Sequence, residues 1–353
     1  MMEWEFLGFV LIGLTSICSY LWKIEPTLPY SFEPGKRDSR FDQMRGIAMI
    51  GIVCIHIHSY FQFFHAGEKS VITWTLLFSN LSRFSVPVFI FGSALYISKK
   101  SNYWASKFYS IILPYTIASV FGYFIKYSNY SASEFFIKLI IGDIFAPYYF
   151  VPLLLQFYLL YALLSTLLIN DGVLKNILYV SIFLNIVSNL NLLNFILPEW
   201  YRSISIFNYI GFFALGLNIR NPNRKNFPSQ LFFKLILSIL TFILIILIVF
   251  FSYNGLDLKN HHFIYPIIII FLLNYLLPKE PKHYSFKVLA FIGKNSLYIF
   301  LLHPFVIHFM HTFDPLTFGN PVFAYMMTLL LNIGIPSLFA YLITYLSGIV
   351  SNR

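Results

Sequence analysis

Charge is what this sequence has least of: Asp, Glu, Lys and Arg make up 11% of 353 residues, against about 25% in ordinary globular chains. So little charge cannot cover a water-facing surface of this length, which excludes a soluble enzyme and a disordered tail. Cysteine is almost missing as well. Cys18 and Cys54 both fall inside apolar runs, so no disulfide framework or thiolate cluster can be drawn. The chain has no CxxC, HExxH, GxGxxG or Lys-containing phosphate loop, and no metal is expected. Acidic residues are absent from the centres of the long apolar runs, so the sequence places no carboxylate there to orient a histidine.

What fills the chain instead is apolar: 58% of residues, with 41 Phe and 25 Tyr. A helix crosses a bilayer with roughly 20 such residues. About eleven runs qualify: 5–23, 43–64, 73–98, 104–125, 148–169, 174–197, 203–219, 232–252, 262–277, 288–310 and 322–349. The fold class predicted is all-α, a polytopic membrane helical bundle. The first run carries Glu3 and Glu5 ahead of it and its basic residues behind. That is the reverse of a signal peptide, so it reads as a retained helix with its N-terminus outside. With eleven spans, 18 Lys and Arg fall on inward segments, 5 on outward ones, and Arg83 lies within the membrane, which accounts for all 24. This bias puts the C-terminus in the cytoplasm. It also assigns the net charge of +10 to the inner membrane face; no nucleic-acid partner is expected.

The linker 24–42, with Pro26, Pro29, Pro34 and Gly35, predicts an irregular cytoplasmic connector. The stretch 126–147 contains SASEFFIKLIIGDIF, whose apolar residues suit an interfacial helix on the outer face. No internal repeat is apparent. Ionisable residues at membrane depth are costly and are functional candidates. Here they are His56 and His58, Arg83, and His303 and His308. His58 and His308 read as hydrogen-bonding struts. Arg45 and His56 lie about 16 Å apart along one helix, and His56, Arg83 and His303 fall at comparable depth, which predicts one shared cavity.

Four motifs then carry a resemblance. RFDQMRGIAMIGIVCIHIH (40–58) resembles the first helix of the acyltransferase-3 family of integral membrane O-acyltransferases, with Asp42, Arg45, Gly46, Ala48 and His56 in register. SNLSRFSVPVFIFGSALYIS (79–98) is similar to the next family helix through Ser82, Arg83, Pro87 and Phe89, although the usual Ser-Gly is Ser93-Ala94. YYFVPLLLQFYLLY (148–161) resembles the aromatic-rich fifth segment. IGKNSLYIFLLHPFVI (292–307) resembles a late helix through Gly293, Ser296, Leu297 and His303, with Phe300 where Tyr is usual. The resemblance implies a ten-helix unit over 40–353, preceded by an extra transmembrane helix and linker in 1–39.

It further implies transfer of an acyl group, acetyl or succinyl-like, from cytoplasmic acyl-CoA to a hydroxyl of a cell-surface polysaccharide or lipid-linked sugar, in the plasma membrane. In that reading His56 is general base or transient acyl carrier, Arg83 steadies the developing oxyanion, and His303 orients the acceptor or shares the proton. Arg45, Lys99, Lys100 and Lys107 dock the CoA phosphates. The family's Arg-x-x-Arg pair is replaced by KFYS, Lys107 to Ser110, so lysine point charges stand in for guanidinium forks. Tyr148 and Tyr149 are candidate sugar-stacking groups. The alternative class is a polysaccharide exporter or proton-coupled transporter, which intramembrane His and Arg also suit; repeated broken helices would favour it.

Overall fold

The structure, a computed structural model, describes residues 39–98, 101–220, 230–258 and 263–351. The expected helix 5–23, nearly all of the 1–39 unit, and both Lys99 and Lys100 lie outside them. Among the described residues the chain is helical, without strands. In chain order the elements are α1 (Ser39–Phe64), α2 (Lys69–Leu81), α3 (Ser85–Tyr96), α4 (Tyr103–Lys126), α5 (Ala132–Ile141), α6 (Phe150–Leu164), α7 (Asp171–Asn189), α8 (Ile210–Ile219), α9 (Gln230–Tyr253), α10 (Ile264–Leu276), α11 (Tyr284–Lys294), α12 (Ser296–Phe309) and α13 (Pro321–Ser351).

Among the described residues, seven stretches are long and apolar enough to cross a membrane: α1, α2 with α3, α4, α6 with the turn before it, α7, most of α9 and most of α13. An eighth span would be α11 with α12, which are bent by 81° where they meet. The expected run 288–310 is therefore not one continuous helix but two, broken at Asn295. Asn295 at the break turns its amide onto the Phe291 carbonyl at 3.0 Å, a bond that competes with helix continuation. The runs 203–219 and 262–277 yield helices of only 10 and 13 residues, short of a full crossing. The segment expected to be an interfacial helix is α5, with Phe136, Ile137 and Ile140 exposed.

Most of α1 is buried, in contact with α2, α3, α11, α12 and α13. The outer helices instead expose large apolar side chains, such as Phe183 on α7, Phe250 on α9 and Leu338 on α13. Such surfaces are stable only against lipid or another apolar partner. The crossing of α1 and α11 is tight enough to require glycine on both helices. A Cβ on Gly46 would fall 2.1 Å from the Leu289 carbonyl oxygen, and one on Gly293 would fall 1.7 Å from that of Asp42. These two glycines, both within the sequence motifs, bring the Arg45 turn of α1 against the start of α12.

In α4, residues Phe108–Ile112 form a π-helical turn just before Pro114. Proline has no N–H to close the regular bond to the Ser110 carbonyl, and the wider turn accommodates the loss. Lys107, Ser110 and Ile111 lie at or next to this turn, on the wall of the main cavity.

Candidate active site

A cavity of about 860 Å³ opens among α1, α3, α4, α6, α8 and α12. Cations gather toward one end of it: Arg45 from α1, Lys107 from α4 and Arg220 from the end of α8, with Asp42 and Ser98 among them. Each cation is held in place. Arg45 Nη2 donates to Ser296 Oγ at 2.6 Å, and its guanidinium lies 5.7 Å from the Phe89 ring centre. The Lys107 ammonium sits 4.0 Å from the centre of the Tyr158 ring, near the ideal for a cation over an aromatic face. Arg220 donates to the Ile97 carbonyl. Guanidinium and ammonium donors converging on one mouth suit an anion bearing phosphates.

Much of the remaining lining is apolar, with Ile52, Phe150, Leu154 and Phe300. His56 lies one turn beyond Ile52 on α1. His303 lies one turn beyond Phe300 on α12. Their imidazole centres are 5.5 Å apart. Neither imidazole lines the cavity itself, so the sequence expectation of one shared space is met only as adjacency.

The two histidines differ in their surroundings. His303 is fully buried, and its Nδ1 faces the Ile299 carbonyl at 3.0 Å. A carbonyl only accepts, so Nδ1 carries the proton and Nε2 is left as a lone pair. That Nε2 is buried without a hydrogen-bond partner among the described residues, an arrangement that costs stability unless another molecule or a moving group supplies the donor. His56 retains accessible surface and lies across from it. Of this pair, one ring is fixed as an acceptor and the other can be reached.

Arg83 lies in the turn between α2 and α3, buried, and pairs with Asp257 in the loop after α9. It is close enough to act electrostatically on His56, Tyr149 and Tyr209. Asn80 ties the same loop down, donating to the Leu256 carbonyl at 2.9 Å and accepting from the Leu258 N–H at 2.8 Å. The loop therefore closes over the guanidinium.

The structure thus brings His56 and His303 together, sets Arg83 nearby and places Arg45 and Lys107 on the cavity. Tyr149 keeps some accessible surface beside Arg83 and Tyr209. Tyr148 is corrected: it is fully buried, its hydroxyl donates to the Leu301 carbonyl at 2.7 Å, and its ring packs against Tyr115 and Phe145. No face of it remains for a sugar. His58 is the expected strut, paired with Thr75 Oγ1 at 2.9 Å.

Sequence reasoning missed Asp257, Arg220, Tyr158 and Tyr209. Asp257 sits in a short polar loop, where a carboxylate raises no alarm; only its partner Arg83 stood out. Arg220 was counted among inward cations without a place in the site.

A family model described as an acyltransferase domain matches residues 38–349. No curated protein and no solved structure matches the chain.

Proposed function

The chain belongs to the acyltransferase-3 family, and on that premise we propose that it is a membrane O-acyltransferase using acyl-CoA. The CoA phosphates bind at Arg45, Lys107 and Arg220, and the acceptor is a hydroxyl of a surface polysaccharide or lipid-linked sugar. The observation that carries this reading is the succession along α1 and α12 of a cavity with cations and apolar rings in its wall and, one turn past Ile52 and Phe300, a histidine pair. From Arg45 to His56 is about 16 Å of helix, a distance for an extended pantetheine arm to bridge. Lys99 and Lys100, which follow the cavity residue Ser98 in sequence, are proposed to add their charge to CoA binding. In this reading the basic mouth is assigned to the cytoplasmic side of the plasma membrane, which the Lys and Arg bias of the sequence supports.

When substrates bind, His56 turns to supply the N–H that His303 Nε2 lacks in the structure, which leaves the other His56 nitrogen with its lone pair toward the acceptor hydroxyl. As the hydroxyl oxygen attacks the thioester carbonyl, His56 takes its proton. The C–O bond forms, the C–S bond breaks, and the proton passes to the departing sulfur, yielding ester and CoA thiol. Arg83 stabilises the oxyanion, with Asp257 holding the guanidinium in orientation. Tyr149 takes part on the acceptor side.

The transporter alternative gains little. Repeated broken helices would favour it, and among the described residues there is one bent apolar pair, α11 with α12, and no second like it.

The test uses the full chain in lipid nanodiscs with acetyl-CoA, and methyl glucoside as a hydroxyl probe. CoA thiol release and ester formation are followed together. His56→Gln, which keeps a polar side chain of similar size, should lose at least about a hundredfold in kcat, the range for a general base. Near-wild-type turnover in a variant of unchanged thermal stability would refute the role of His56, and absence of thioester cleavage in the wild type would refute the reading as a whole.

A further inference from the structure

The cavity and the histidine pair are separated by aromatic rings, and one of them touches both. Phe300 lines the inner end of the cavity, and its ring centre lies 6.1 Å from that of His303. Phe150 meets Phe300 at 5.6 Å and Phe89 at 5.9 Å, both at steep angles of 63°. Edge-to-face contacts of this kind are favourable and pack without a groove between the rings. Phe150 and Phe300 are 8% and 5% exposed, so each is packed by neighbours on every side but the one that lines the cavity. Ile52 closes the same end from α1. Among the described residues, Phe300 is the one aromatic that both lines the cavity and contacts a ring of the histidine pair.

In the acyltransferase reading, an acyl group delivered through this cavity reaches the histidine pair past Phe300, the cavity ring that touches His303. Its room is whatever Phe300 and Phe150 leave. Resting on the acyltransferase reading, we propose that Phe300, backed by Phe150, sets the acyl length of the donor and restricts it to acetyl-sized groups. An acetyl group adds one methyl beyond the carbonyl. Each further methylene would press on a ring already braced by its neighbours, and cores resist such additions through strain. The balance of the reaction is unchanged by chain length: the C–S bond breaks, the ester C–O bond forms, and the hydroxyl proton ends on the CoA sulfur. Only the fit of the R group differs.

The test compares acetyl-, propionyl- and butyryl-CoA with methyl glucoside, using the full chain in nanodiscs and reading kcat/KM from thiol release with ester formation. The wild type should fall about tenfold or more for each added methylene. Phe300→Ala should raise the butyryl-to-acetyl ratio by about tenfold or more. Phe150→Leu should move it in the same direction, and Phe300→Tyr, which keeps the ring, should leave it near wild type. A ratio taken within one preparation does not depend on how much protein is folded. The proposal is overturned if the wild type uses butyryl- as well as acetyl-CoA, or if Phe300→Ala and Phe150→Leu both keep the wild-type profile. A wild type that transfers no acyl group from any donor would instead overturn the acyltransferase reading on which this rests.

Discussion

Replacing Gly293 by alanine adds one methyl group at the crossing of α1 and α11, and the structure says how much must move. The new Cβ would lie 1.7 Å from the Asp42 carbonyl oxygen, whereas real Cβ atoms keep at least 3.0 Å. One helix must therefore retreat by about 1.3 Å, the difference of those two distances. The obstacle is backbone, so no side chain can rotate away. Overpacking of this kind costs about 1–3 kcal/mol, against which alanine's better helix propensity returns at most about 1 kcal/mol. The net expectation is a loss of about 1–2 kcal/mol. The same retreat should stretch the bond from Arg45 to Ser296, now 2.6 Å, beyond hydrogen-bond range. Gly293→Ala should thus lower the thermal midpoint in detergent and raise the KM for acetyl-CoA more than it lowers kcat. Gly334→Ala is the control, because a Cβ there meets nothing within 4 Å, and it should be neutral or slightly stabilising. If both variants melt like the wild type, the close crossing is not what those glycines provide.

Asp257→Asn removes the charge partner of a buried guanidinium; with the carboxylate itself 54% exposed, the loss should be about 1–2 kcal/mol rather than the larger figure for a fully buried pair. It should also lower kcat with little change in KM, and a variant with wild-type melting and turnover would dismiss the pair as ornamental. At the far end of α12, burial first and the neighbouring His308 second push the His311 pKa below the ordinary imidazole range. The unfolded chain then binds that proton more readily, so this contribution weakens as pH falls through about 6.5. Melting curves at pH 7.5 and 5.5 should differ less in His311→Asn than in the wild type, and an equal difference would contradict that sign.

Legibility from the sequence followed the range of the interactions concerned. Composition and apolar run length are local quantities, and they gave the membrane class and the all-helical fold because a bilayer demands internal hydrogen bonding from any spanning segment. The same arithmetic overcounted where short polar interruptions matter. Asn295 bends one run, and the runs 203–219 and 262–277 give only short helices. The Arg45-to-His56 spacing was readable because both residues ride one helix, and helical rise fixes their separation.

What sits across from that helix was beyond any local reading. The contact of His56 with His303 and the pairing of Arg83 with Asp257 each join residues more than 150 positions apart, and Phe300 packs on Phe150, 150 positions away. Tyr148 shows the converse: as an aromatic at the end of a run it looks exposed, yet its hydroxyl is committed to Leu301 inside the bundle. The sequence by itself determined the solvent this protein folds in, its helices and the residue types at its centre. Only tertiary packing decided which of those residues meet, because helix faces acquire partners through side-chain fit and glycine-permitted crossings that no single segment encodes.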